Sequence, residues 1–172
     1  MKKKTVLLIS LAGSLPCAIV CMLYTVIPGA LGNYVWCIFV GFCTTYLYGA
    51  TVKDTPKVIS SYAVGVIWAL AFNYFFIWLL QLGVGSALAM FLDVFVITVV
   101  LMFVHIGFLQ NTWVNKVPML FPPVFLIFQC GGDMSVYPYM LISLVVGALT
   151  AIITDPFCDF ITGLGKTPQE NE

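Results

Sequence analysis

The sequence contains very little charge and no arginine. Its 172 residues are only 8% Asp, Glu, Lys and Arg, and all seven basic residues are lysines, whereas an ordinary soluble domain is about 25% charged. Hydrophobic residues make up 62% of the chain, against about 45–50% in such a domain. This composition excludes a soluble globular protein and predicts an integral membrane protein whose main partner is the lipid bilayer.

The sequence also lacks the groupings that mark several functions. Its only run of basic residues is Lys2-Lys3-Lys4, so nucleic-acid binding has no support. It shows no Ser/His/Asp grouping, no glycine-rich phosphate loop with a lysine and no cluster of metal ligands. Catalysis on water-soluble substrates requires such a constellation. We therefore expect no enzyme activity, no cofactor and no metal site.

Cysteine is present, but no two cysteines form a Cys-x-x-Cys pair. Disulfide frameworks belong to small secreted domains, so we interpret these thiols mostly as small buried hydrophobes. Two of them share a helix face, but two thiols without histidine or carboxylate neighbours make a poor metal site. The six residues are Cys17, Cys21, Cys37, Cys43, Cys130 and Cys158.

Six apolar runs are separated by turn residues, and each is close to the length of about 20 residues that a membrane-spanning helix needs. The predicted fold is an all-α polytopic membrane protein: one membrane domain over residues 1–172, with a polar tail at 165–172. The predicted spans are 5–27, 31–50, 58–82, 86–108, 113–130 and 137–154.

The positions of the lysines predict the orientation of the spans. Positive residues are retained on the cytoplasmic side of a membrane. With six spans and a cytoplasmic amino terminus, all seven lysines fall on that side, and adding or dropping one span would scatter them. We therefore expect both termini in the cytoplasm. The lysines are Lys2, Lys3, Lys4, Lys53, Lys57, Lys116 and Lys166.

A shift of 82 positions lays the third run over the sixth. Ser61 then coincides with Ser143 and Gly65 with Gly147, and Gly49-Ala50 falls on Gly131-Gly132. This predicts pseudo-repeats at 1–82 and 83–164. Because each half holds three spans, the halves would lie in opposite orientations, which is the inverted-repeat plan of many transporters and channels.

The middle span of each half carries the signs of an interrupted helix. The fifth span contains Pro118, Pro122 and Pro123 and ends at Gly131-Gly132, and its counterpart ends at Tyr48-Gly49. Glycine- or proline-interrupted segments at matching positions of two halves are a pointer to a binding or permeation site. We therefore predict interrupted second and fifth helices beside a wet cavity.

Several of these features resemble those of the YcdZ-like family of small bacterial inner-membrane proteins. They are the lysine-headed first span, the second span with Trp36 that ends at Tyr48-Gly49-Ala50, and the following helix with Val64-Gly65. The resemblance implies a bacterial inner membrane and no established activity. It assigns no functional residues.

Asp93 is the most conspicuous polar residue, because a charged carboxyl well inside a span costs about 2.5–3.5 kcal/mol on insertion scales. Asn73 lies at a similar depth on the preceding span, and we predict that it donates a hydrogen bond to Asp93. The pair is either a functional site or an interhelical clamp. His105, twelve positions after Asp93, cannot share its site, and we interpret it as a packing residue.

Asp133 is the only charge expected on the outer face. It is either a solute contact at a pore mouth or a turn-forming residue that caps the next helix. Gln129 would face any cavity made by the break. Asp155 and Asp159 are interpreted as a solvated helix exit.

The sequence favours a channel or facilitator for a small neutral or weakly polar solute, and a homo-oligomer is the assembly considered for it. Two alternatives stay open: a proton-coupled transporter in which Asp93 titrates, and a scaffold or subunit that transports nothing. The predicted pore or substrate-binding residues are Asp93, Asn73, Gln129, Gly131, Gly132, Asp133, Gly49 and Tyr48.

Overall fold

A computed structural model describes residues 3–27 and 29–164, and over these residues it is helical, without a strand. This confirms the all-α fold class. The polar tail at 165–172, Lys2 and Lys166 lie outside the described residues. The principal helices are α1 (Lys3–Thr25), α2 (Val35–Tyr48), α3 (Thr55–Gln81), α4 (Ser86–Met102), α5 (Val117–Gln129) and α6 (Tyr137–Leu164).

Short helical turns extend three of these helices. Five of the resulting segments are long and apolar enough to cross a membrane, and Val117–Gln129 is a shorter apolar helix. The turns are two 3-10 helices, Ala30–Tyr34 before α2 and Val52–Asp54 before α3, and a π-helix, Phe103–Phe108, after α4. The chain is thus a multi-pass membrane protein.

The prolines do not break the fifth helix. α5 runs continuously through Pro122 and Pro123, where we expected a bent or broken segment. α5 is therefore not interrupted as predicted, although its 13 residues extend only about 20 Å, less than the hydrocarbon core of about 30 Å. α2 is not interrupted either, and together with the 3-10 helix before it the segment Ala30–Tyr48 has 19 residues and is long enough to cross a membrane.

The helices group into two compact units. The first contains 1–55 and 142–172, and thus α1, α2 and most of α6. The second contains 56–141, and thus α3, α4, α5 and the first turn of α6. Each unit therefore takes two helices from one sequence half and its third helix from the other half.

The two halves match in their helix boundaries. α2 begins at Val35 and α5 at Val117, and α3 begins at Thr55 and α6 at Tyr137. Both offsets are 82 positions, the shift that aligns the sequences, and the second residue of α3 and of α6 is a proline. The internal repeat predicted from the sequence thus extends to where the helices start.

A close helix contact is also repeated. In the first unit, a Cβ added at Gly147 would collide with the carbonyl oxygen of Ile38. In the second, a Cβ added at Gly65 would lie 2.6 Å from the carbonyl oxygen of Leu120. Gly147 follows Gly65 by 82 positions, and Leu120 follows Ile38 by the same number. Small residues let membrane helices approach backbone to backbone, so each unit uses its repeated glycine for the same contact.

Candidate functional site

The carboxyl ends of α2 and α5 share one conformation. Gly49 follows α2 with a φ of 70°, and Gly131 stands at the matching position with a φ of 59°. Gly49 N–H donates to the Tyr46 carbonyl at 2.9 Å, and Gly131 N–H donates to the Phe128 carbonyl at 3.1 Å. Glycine accepts this left-handed backbone without strain, so both short helices end in a glycine cap.

The next residue continues the match. Ala50 N–H donates to the Thr45 carbonyl at 3.4 Å, and Gly132 N–H donates to the Ile127 carbonyl at 3.0 Å. This pair of bonds is the Schellman arrangement that closes many helices. The second and fifth helices therefore end in the same structural element.

The predicted site residues around these caps differ in their exposure. Gly49, Gln129 and Gly131 are exposed, whereas Tyr48, the last residue of α2, is half-buried. Gln129, the last residue of α5, carries an amide that can both donate and accept hydrogen bonds. Polar and backbone groups are thus concentrated at the ends of the short helices.

The structure brings Asn73 and Gly132 together. A Cβ added at Gly132 would lie 2.5 Å from Asn73 Oδ1 and 3.2 Å from its Cγ. The amide of α3 therefore packs directly on the backbone of the glycine cap of α5. Neither alanine nor a larger residue fits at position 132 without moving this amide.

The predicted hydrogen bond between Asn73 and Asp93 is wrong. Both carboxyl oxygens of Asp93 are buried and have no hydrogen-bond partner among the described residues, and the residue is 0% exposed. The prediction used the depth of each residue, which does not fix the direction in which a side chain leaves its helix. Asn73 points to the α5 cap instead.

Asp133 forms the turn before α6. Its Oδ1 accepts a hydrogen bond from the Ser135 N–H at 2.8 Å, and its carbonyl accepts from the Tyr137 N–H at 3.3 Å. Hydrogen bonds from the hydroxyl and the N–H of Ser135 hold the pKa of Asp133 below its usual range. Asp133 thus forms the turn, which was one of the two interpretations of this residue. Its carboxylate is the charged group nearest in sequence to Gly131-Gly132.

Sequence reasoning missed the hydrogen bonds that link the helices of each unit. Trp68 Nε1–H donates to His105 Nε2 at 3.1 Å, which confirms the packing interpretation of His105. The Tyr24 hydroxyl bonds to the Ser143 hydroxyl at 2.8 Å. Each of these four residues stands in an apolar run, and their polarity was the one available signal. Polarity alone did not identify the hydrogen-bond partner of each residue, because the partners are far apart in sequence.

The cysteines make no disulfide, and none of those within the described residues belongs to a metal site. All six are free thiols, and no group of three His, Cys, Asp or Glu side chains in the described part of the chain could hold a metal ion. Cys17, Cys21 and Cys43 line a cleft of about 700 Å³ together with Phe39 and Phe42. These thiols pack as small apolar groups, as we expected.

The fold defines a multi-pass membrane protein. The chain belongs to the family described as protein of unknown function (DUF1097), whose family model matches residues 14–158. No curated protein matches the chain, and no solved structure does. The narrower resemblance to the YcdZ-like family stays a prediction.

Proposed function

We propose that this protein is a channel or facilitator for a small neutral or weakly polar solute. One observation carries the proposal: α2 and α5 begin 82 positions apart and end in the same glycine cap, and α5 has only 13 residues. Unusually short segments at corresponding positions of a repeat are a good pointer to a transport site.

The shortness of α5 has a physical consequence in a bilayer. Next to its 13 residues, about 10 Å of the hydrocarbon thickness must be crossed by non-helical backbone. Non-helical backbone at membrane depth is tolerated only where it is buried in protein or lines a water-filled cavity. Gly131 is exposed at the end of α5, so its backbone is not buried in protein, and we propose that it lines such a cavity.

The polar groups near the caps suggest the class of solute. Asn73 and Gln129 offer amides, which donate and accept hydrogen bonds without carrying charge, and α5 contains no ionisable residue. Anion and cation pathways usually place charged side chains or converging carbonyls along the route. A neutral solute with hydroxyl or amide groups, such as glycerol, urea or acetamide, fits this chemistry.

The cellular setting belongs to the same proposal. We place the protein in a bacterial inner membrane with both termini in the cytoplasm, because the lysine distribution supports that orientation. A homo-oligomer is part of the proposal, since 172 residues enclose little volume. We propose no enzyme activity.

Solute flux into vesicles tests the function. Purified protein is reconstituted into liposomes, and swelling in glycerol, urea and acetamide is followed by light scattering against empty liposomes. We expect faster swelling with at least one solute, and a slower rate for Asn73→Leu, which removes the amide beside Gly132.

Asn111→Leu is the matched control, because Asn111 is exposed in the turn before α5. Its rate should equal that of the wild type. If no solute enters faster than into empty liposomes, the transport proposal fails and a scaffold role takes its place.

A further inference from the structure

Asp93 is isolated inside the second unit. It lies in α4 between Leu92 and Val94, it is 0% exposed, and neither carboxyl oxygen has a hydrogen-bond partner among the described residues. An ionised carboxylate in apolar surroundings without a partner is strongly unfavourable. The conformation described is therefore one in which the carboxyl group carries a proton.

No charged group in the same unit compensates Asp93. α5 has no ionisable side chain, and Asp93 is the only one in α4. The other ionisable side chains of this unit are Lys57, Tyr62, Tyr74, His105, Lys116, Cys130, Asp133, Tyr137 and Tyr139. None of these makes a hydrogen bond or ion pair with Asp93, so nothing in the unit replaces a bound proton.

We propose that Asp93 is a proton-binding site that regulates solute flux: it holds its proton in the conformation described and releases it to water only when a second conformation exposes the carboxyl. The reaction is the dissociation of a carboxylic acid into a carboxylate and a hydrated proton. The two conformations differ in proton affinity, so pH shifts their populations. The part that concerns flux rests on the proposed function, whereas the proton-binding part does not.

Labelling with an apolar carbodiimide tests the bound proton directly. The protonated carboxyl oxygen adds to the central carbon of dicyclohexylcarbodiimide, the carboxyl proton moves to a nitrogen, and the acylisourea rearranges to an N-acylurea that keeps the whole reagent. Protein in liposomes is treated at neutral pH, digested and analysed by mass spectrometry. We expect the adduct on Asp93, with less of it at alkaline pH.

Asp133 is the matched control carboxyl, because it is exposed and lies between spans. It should stay unlabelled. Absence of the adduct on Asp93, or equal labelling of Asp133, overturns the proton-binding site. This result needs no variant and no transport.

Flux at several pH values tests the regulation. Wild-type flux should change between mildly acidic and mildly alkaline pH, whereas Asp93→Asn, a permanently neutral isostere, should give one rate throughout. Asp93→Ala, which removes the carboxyl altogether, should also lose the pH dependence. A pH dependence that persists in both variants, or labelled Asp93 with pH-independent wild-type flux, overturns the regulation. If wild-type flux is absent, the proposed function fails, and the labelling alone decides whether Asp93 binds the proton.

Discussion

Several polar side chains inside the apolar helices bond from one helix to another. The Tyr137 hydroxyl donates to the Pro123 carbonyl at 3.0 Å, Tyr24 bonds to Ser143, and Trp68 donates to His105. Each of these bonds joins two helices of the same unit. Asp93 has no such bond among the described residues, and this contrast is the observation on which the proposed proton-binding site rests.

The bond between Trp68 and His105 should contribute measurably to stability. Trp68→Phe removes the donor and leaves His105 Nε2 buried without a partner, which costs about 1–3 kcal/mol. We expect a lower unfolding temperature in detergent. Trp78→Phe, on the same helix at a side chain that is 51% exposed, is the control and should unfold like the wild type. Equal unfolding temperatures for both variants would contradict the role of the bond.

The turn at Asp133 should respond to acid. Because the folded pKa of Asp133 is lowered by Ser135, the ionised carboxylate stabilises the fold above its unfolded pKa of about 3.9. That stabilisation is lost as the pH falls through the folded pKa. The wild type should therefore unfold at a higher temperature than Asp133→Ala at neutral pH, and the difference should shrink at strongly acidic pH. A difference that grows on acidification would show that the carboxylate is not the stabilising form.

At the scale of elements, the repeated glycine contacts set how closely α3 and α6 approach their partners. Gly65→Ala and Gly147→Ala each place a methyl group against a backbone carbonyl, and overpacking of this kind costs about 1–3 kcal/mol. Both variants should unfold at a lower temperature in detergent.

Gly13→Ala is the control for these variants, since an added Cβ there would meet only the Tyr46 hydroxyl at 3.7 Å and Cys158 Sγ at 3.9 Å. It should keep the wild-type unfolding temperature. If Gly65→Ala and Gly147→Ala unfold at the wild-type temperature, the helices can move apart to accept the methyl group without loss of stability, and the prediction is wrong.

The sequence allowed most elements to be predicted, because a bilayer imposes the length of apolar runs and turn residues end them. Gly65 and Gly147, which the shift of 82 positions aligned, each lie against a backbone carbonyl of a neighbouring helix. The continuity of α5 was not predicted. Pro122 and Pro123 follow closely on a helix start at Val117, so their missing N–H groups deprive only the carbonyls of Pro118 and Met119. Whether the prolines interrupt the helix depends on where the helix begins, and the apolar composition of the segment does not reveal that position.

Contacts of single side chains were less predictable than elements. The sequence singled out Asn73 and Asp93 correctly as polar residues within spans, but their directions depend on the rotation of α3 and α4 about their axes. A turn of a few tens of degrees exchanges one neighbour for another. The site was therefore predicted as a set of residues, without its contacts.

At the scale of the whole molecule, the six-span topology and the cytoplasmic termini make an independent prediction. Reporter fusions measure it: green fluorescent protein joined after residue 172 should fluoresce, and alkaline phosphatase joined after residue 134 should be active. Phosphatase joined after residue 54 is the control and should be inactive, because two spans return the chain to the cytoplasm. An active phosphatase after residue 172 would contradict the six-span topology.

Each unit takes its third helix from the other half of the sequence, and this arrangement has a consequence for biosynthesis. The two parts of the first unit are separated by residues 56–141, which a ribosome adding 5–20 residues per second makes in roughly 4 to 17 s. During that interval Ile38 has no Gly147 to contact, and the nascent α1 and α2 wait in the membrane while the complete second unit is made. A premature stop codon just before residue 142 would therefore leave the earlier-synthesised unit, and not the later one, without its closing helix.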